Sequence, residues 1–257
     1  MKNALTIAGK ELQSYFVQPI AYVVMAVFLL LGGWFFFVLV RRFDLLFHIY
    51  SAMNNEQGLA GLNLVDSVLS PLLQDMSIVL VILVPAITMR SFAEEKRTGT
   101  YELLLTAPIR TGEIVAGKFI AAAAFVLIMI GLAGIYPLIL AIFGNPEIGV
   151  MASAYLGISL LAISFVSVGL FTSSLTQNQI IAAISCFGVL LLLYVISWPA
   201  DLGGITLGNV LRYLALPDHF GQLLKGVIDT QDLVYFLSVI LVALFLTQRS
   251  VESARWR

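Results

Sequence analysis

Ile20-Ala21-Tyr22-Val23-Val24-Met25-Ala26-Val27-Phe28-Leu29-Leu30-Leu31-Gly32-Gly33-Trp34-Phe35-Phe36-Phe37-Val38-Leu39-Val40 decides what kind of chain this is. The run carries no charge, and about 20 such residues form a helix long enough to cross a ~30 Å hydrocarbon core. Five further segments share its character: residues 65–89, with Asp75 inside; 118–143, where Pro137 is expected to kink the outer end; 152–175, whose Ser159, Ser164 and Ser167 suit packed faces; and the shorter 180–196 and 232–247. The whole chain of 257 residues is 60% hydrophobic and 11% charged, against the ~25% charge that covers a soluble domain. The expected fold is therefore an all-α polytopic membrane protein with six transmembrane helices, forming a single membrane domain over residues 1–257.

The segments around the spans refine this picture. Residues 2–18 have Leu5, Ala8, Leu12, Tyr15 and Phe16 at helical spacing, with Lys2, Thr6, Lys10 and Gln13 opposite. They predict an amphipathic helix lying in the membrane interface, apolar side down, and broken by Pro19. Residues 202–230 mix leucines with Arg212, Asp218, Lys225 and Asp229. They predict two short helices divided at Pro217, dipping into the outer half of the membrane or lying on it ahead of the last span. With six spans both termini share one side. That side collects Lys2, Lys10, Arg90, Lys96, Arg97, Arg110, Lys118, Arg249, Arg255 and Arg257, and the other only Arg41, Arg42, Arg212 and Lys225. The bias puts the termini and residues 90–117 in the cytoplasm, in the plasma (inner) membrane of a cell.

Chemistry is sparse. The net charge of −1 argues against a nucleic-acid partner. Cys186 is a lone cysteine in an apolar run, and His48 and His219 offer no metal-ligand spacing. Gly112-Glu113-Ile114-Val115-Ala116-Gly117-Lys118 matches the start of a phosphate loop, but Phe119 stands where a hydroxyl should hold magnesium. The plain reading is a helix capped at Thr111 that continues into the membrane. Catalytic and metal sites are not expected. Asp75, about 22 Å from the Arg90 end of its span at ~1.5 Å per residue, is a candidate intramembrane polar site, or else faces a wet outer vestibule. The densest charge lies between the second and third spans, where Glu94, Glu95, Lys96 and Arg97 precede Gly99, Thr100, Tyr101, Glu102, Leu103 and Leu104. Gly99 ends one element and Thr100 can cap the next, with Glu102 in its first turn. The apolar residues that follow suit a groove on a soluble partner.

The run Met89-Arg90-Ser91-Phe92-Ala93-Glu94-Glu95-Lys96-Arg97-Thr98-Gly99-Thr100-Tyr101-Glu102-Leu103-Leu104-Leu105-Thr106-Ala107-Pro108 resembles the signature of ABC-2 type transporter permeases. The nearest branch is that of gliding-motility-associated and copper-site-maturation permeases. Phe171-Thr172-Ser173-Ser174-Leu175-Thr176-Gln177-Asn178-Gln179 and residues 219–232 agree with it. The resemblance implies an N-terminal elbow helix, a coupling helix within residues 98–108, and re-entrant helices before the last span. It also implies a second permease copy or homologue making a dimer, and a separate cytoplasmic ABC ATPase. No cofactor is expected on this chain; ATP and Mg are expected on that ATPase. The implied function is ATP-driven substrate export. The alternative is mechanical transmission to an extracytoplasmic auxiliary protein, with nothing crossing.

Overall fold

The computed structural model describes residues 2–101, 109–144, 146–201 and 204–254, and its regular structure there is entirely helical. Helix α1 (Lys2–Val17) passes through extended Gln18 into α2 (Pro19–Ala52), and α3 (Glu56–Ala60) is a short turn beyond it. A π-helical turn, Val65–Leu69, runs into α4 (Ser70–Thr88), which Met89 separates from α5 (Arg90–Thr98). There follow α6 (Thr111–Ala133), α7 (Ile135–Phe143), α8 (Ile148–Leu175) and α9 (Gln179–Val195). The chain ends with α10 (Gly204–Leu214), α11 (Leu216–Leu224) and α12 (Thr230–Ala254). Six segments are long and apolar enough to cross a membrane, so the all-α, six-span expectation holds. The outward sides of α2, α9 and α12 are apolar, as at Leu30, Trp34, Ile184, Leu192, Leu237 and Leu241, as contact with lipid requires.

The bundle is built around α8, which touches α4, α6, α9, α11 and α12. Small residues let its neighbours come close. A Cβ at Gly157 would stand 2.8 Å from Leu223 Cβ, and one at Gly169 would overlap the Thr88 side chain. The serines expected on packed faces satisfy their own helix. Ser159, Ser164 and Ser167 donate to the carbonyls of Tyr155, Leu160 and Ser164 at 2.7, 2.9 and 2.7 Å, which removes the cost of burying a bare hydroxyl.

The third crossing breaks before its proline. Pro137 has no N–H for the Ala133 carbonyl, and its ring crowds that carbonyl. The helix accordingly parts at Gly134, between α6 and α7. The freed oxygen is taken by Tyr155 of α8, whose hydroxyl donates to it at 3.1 Å. Tyr155→Phe removes the donor and leaves the kink, and is expected to cost about 1–2 kcal/mol in thermal unfolding of the purified protein.

Three expectations change in detail. Helix α2 does not stop at residue 40: it runs 34 residues, about 50 Å, because Arg41 and Arg42 end the apolar run without breaking the helix. The helix of the third crossing, expected to be capped at Thr111, has Thr111 as its first residue and Arg110 in the capping position. The pair before the last span divides at Ala215; Pro217 sits in the first turn of α11, where a missing N–H is harmless.

Candidate functional site

The start of α1 and the last turns of α12 lie at one end of the bundle, where α1, α5 and the first half of α6 pack together. Contacts between α1 and α6 rise in step along both helices. Asn3 donates to Glu113 at 3.1 Å, a Cβ on Gly117 would meet Ile7 at 2.8 Å, Glu11 meets Lys118, and Tyr15 stacks on Phe125 at 5.4 Å. The two helices therefore run parallel. The buried stripe of α1 is Ala4, Ile7, Ala8, Glu11, Leu12, Tyr15 and Phe16, while Leu5 is 64% exposed. The apolar side expected to face lipid is spent on α6, because Gly117 opens a place for it.

At the centre of this cluster is Lys118. Its side chain is 2% exposed, and Nζ lies 2.7 Å from both Glu11 Oε1 and Glu95 Oε1, over the Phe92 ring at 5.3 Å. Two carboxylates from α1 and α5 thus converge on one ammonium from α6. Separating such charges in a dry setting is costly, so the three helices are held as one body. Tyr15 of α1 also bonds Ser91 of α5 at 3.3 Å, and Arg90 donates to Gln18 at 2.7 Å.

The body is tied to α8 by two serines. Ser173 Oγ accepts from the Phe92 and Ala93 N–H groups at 3.1 and 3.2 Å and donates to the Met89 carbonyl at 3.0 Å. It thereby satisfies backbone donors that the start of α5 leaves unpaired. The Ser174 carbonyl, at the end of α8, accepts from Lys96 Nζ and, at 3.1 Å, from Ser250 of α12. A cation is favoured there by the helix dipole.

What remains accessible is the far end of α5. Gly99 takes φ +74°, the left-handed residue that ends the helix. Arg97, Thr98, Gly99 and Thr100 are exposed, and Glu94 and Lys96 are half-buried. Tyr101 is not part of this surface. It is 6% exposed, with Lys96 Nζ over its ring at 5.1 Å. Burial, and then the Glu95 carboxylate, push its phenol up to about 12. Glu95 points inward to Lys118. Glu102, Leu103 and Leu104 lie outside the described residues.

Asp75 is set apart from this cluster, half-buried on α4. Beside it, Ser77 bonds Tyr194 of α9 at 3.0 Å. Its neighbour Gln74 lines a cleft of about 360 Å³ with Asp66, Ser70, Tyr194 and Lys225. Pro71, Pro217, Phe220 and Leu224 complete a mixed lining, and among the described residues no group of three metal-binding side chains forms. Residues 112–118 are helical, so the stretch resembling a phosphate loop makes no loop.

A family model describing ABC-2 family transporter proteins matches residues 5–250. This chain belongs to the ABC-2 transporter family. ABC-2 chains are membrane transport subunits, generally not catalytic themselves, and membership implies a multi-pass membrane protein with an ABC ATPase as partner. A search of the curated proteins finds no match. In this ABC-2 chain, Glu11, Lys118, Ser173 and Ser174 do positional work that the sequence did not reveal. Lys118 offered one signal: a lysine two turns inside an otherwise apolar helix needs a partner. Its acids lie 107 and 23 residues away, and nothing in their spacing announces them.

Proposed function

We propose that this chain is the permease subunit of an ATP-driven ABC-2 exporter, with both termini in the cytoplasm and the bundle in the inner membrane. The observation that carries this is the Lys118 cluster, which joins an exposed helix end, α5, to α1 and α6. A separate cytoplasmic ABC ATPase, holding ATP and Mg, docks on Glu94, Arg97, Gly99 and Thr100 and on the residues that follow, including Glu102, Leu103 and Leu104. Glu95, Lys96 and Tyr101 brace that surface from behind. When ATP draws two ATPases together, each moves its α5. Lys118 passes the displacement to α1 and α6, Gln18 and Pro19 pass it to α2, and Ser173 and Ser174 pass it to α8.

Two copies, or this chain and a homologue, enclose the path that opens. ATP shifts the equilibrium only as far as it binds the clamped state more tightly. The stretches at 89–108, 171–179 and 219–232 favour the gliding-motility and copper-site-maturation branch. The charged groups Asp66 and Lys225 in the cleft beside Asp75 support a wet vestibule on the outer side.

Arg97→Glu tests the docking surface. Arg97 is exposed, so folding and membrane insertion are expected to be unchanged. Co-purification of the ATPase in mild detergent should fall about tenfold, as reversal of an interface charge does. Undiminished recovery of the ATPase, with ATP turnover still stimulated by the permease, would move the docking site elsewhere.

A further inference from the structure

At the opposite end of the bundle, His219 of α11 meets Asp232 in the first turn of α12. Nδ1 lies 2.6 Å from Asp232 Oδ1, and Nε2 lies 2.9 Å from the Tyr213 carbonyl oxygen. The two side chains are 8% and 7% exposed. The ring stacks on Tyr235 at 3.9 Å and meets the edge of Tyr213 at 5.5 Å.

The proton count follows from these contacts. A carbonyl oxygen only accepts, so Nε2 carries a hydrogen. Were that the only one, Nδ1 would turn a lone pair onto a carboxylate lone pair at 2.6 Å, which is repulsive. The contact must hold a second hydrogen, either on Nδ1 as imidazolium with carboxylate or on Oδ1 as neutral ring with carboxylic acid. The two forms carry the same protons and the same net charge. We propose that His219 and Asp232 form a proton-binding site, and that the bound proton fastens α11 to the start of α12.

The surroundings favour holding that proton. Asp218 of α11, Asp229 ahead of α12 and Arg212 of α10 line a cleft of about 540 Å³ together with the pair. Three carboxylates thus face one guanidinium around the ring. Asp232 Oδ2 is buried with no hydrogen-bond partner. Helix α8 meets α11 at Ser153 and Gly157 and brings no ionisable group there; Lys225, just past α11, lines a neighbouring cleft with Arg212 and Asp218 and another, toward α4, with Tyr194. The remaining ties of α11 are uncharged: Ser153 to the Leu223 carbonyl at 2.9 Å and Ser70 to the Leu224 carbonyl at 3.2 Å. Losing the proton therefore releases the His219 end of α11 and leaves its other end seated. With Nε2 against a carbonyl and Nδ1 against Asp232, both ring nitrogens are engaged within the fold while the pair is closed.

His48→Gln removes an exposed histidine paired only with Asp44 of its own helix, leaving His219 as the chain's sole histidine. Nitrogen NMR of that protein in lipid nanodiscs near neutral pH should show a hydrogen on Nε2 and a second on, or shared with, Nδ1. Asp232→Ala removes the partner of the shared hydrogen, and hydrogen exchange at residues 216–224 near neutral pH should then lose about tenfold of its protection. A bare Nδ1 in the His48→Gln protein at neutral pH would overturn the proposal, as would unchanged protection of residues 216–224 in Asp232→Ala. If that variant does not fold, the ring spectrum decides alone.

Discussion

Lys118→Met is expected to lower the stability of the protein by about 3–5 kcal/mol, read as a fall in the thermal unfolding midpoint in nanodiscs. The lysine is 2% exposed and its ammonium sits between Glu11 and Glu95 at 2.7 Å each. Methionine fills much the same volume, so packing over Phe92 is largely kept. What is lost is the one cation between two carboxylates, and Glu95 Oε2 is already buried without a hydrogen bond. The loss should be strongly coupled to the acids. Adding Glu11→Gln and Glu95→Gln to Lys118→Met removes the stranded charges and should restore most of the stability, since buried ion networks often contribute little net against neutral replacements. Glu11→Gln alone should be mild, because it leaves a one-to-one pair. A Lys118→Met protein as stable as the wild type would mean that the cluster does not hold α1, α5 and α6 together.

That cluster also shows where sequence reading stops. The six crossings were legible because each is a long apolar run, and α10 and α11 were legible as two short mixed helices ahead of the last one. Helix ends were less so. Arg41 and Arg42 end a hydrophobic run but not α2, and Pro137 breaks its helix at Gly134, where the Ala133 carbonyl finds Tyr155. Which side of α1 would be buried depended on a glycine more than a hundred residues later: Gly117 leaves room for Ile7 and Ala4, so those residues turn inward and Leu5 does not. Glu95 and Glu94 are neighbours of one kind in the sequence. Only the position of Lys118 makes the first internal and leaves the second out of the cluster. Likewise His219 and Asp232 lie 13 residues apart on two helices, and their meeting depends on the corner between them.

Gly169→Val should be the most damaging change in the middle of the bundle. Gly169 lies where α8 crosses α4, and a Cβ there would overlap the Thr88 hydroxyl and stand 2.8 Å from Thr88 Cβ and 3.0 Å from Thr88 Cγ2. Thr88 has little room to yield, since it is fully buried and its hydroxyl donates to the Val84 carbonyl at 2.9 Å. The helices must therefore move apart, and overpacking of this kind costs about 1–3 kcal/mol or more. The separation also reaches the far contacts of α8, because Ser173 caps α5 one turn further on. The variant should thus lose midpoint temperature and, with it, protection from hydrogen exchange at residues 90–98. Gly188→Val is the matched control, since a Cβ there meets nothing within 4 Å and valine's modest helix penalty applies equally at both sites. Equal effects of the two substitutions would show that helix propensity, and not the close crossing of α4 and α8, sets the cost at Gly169.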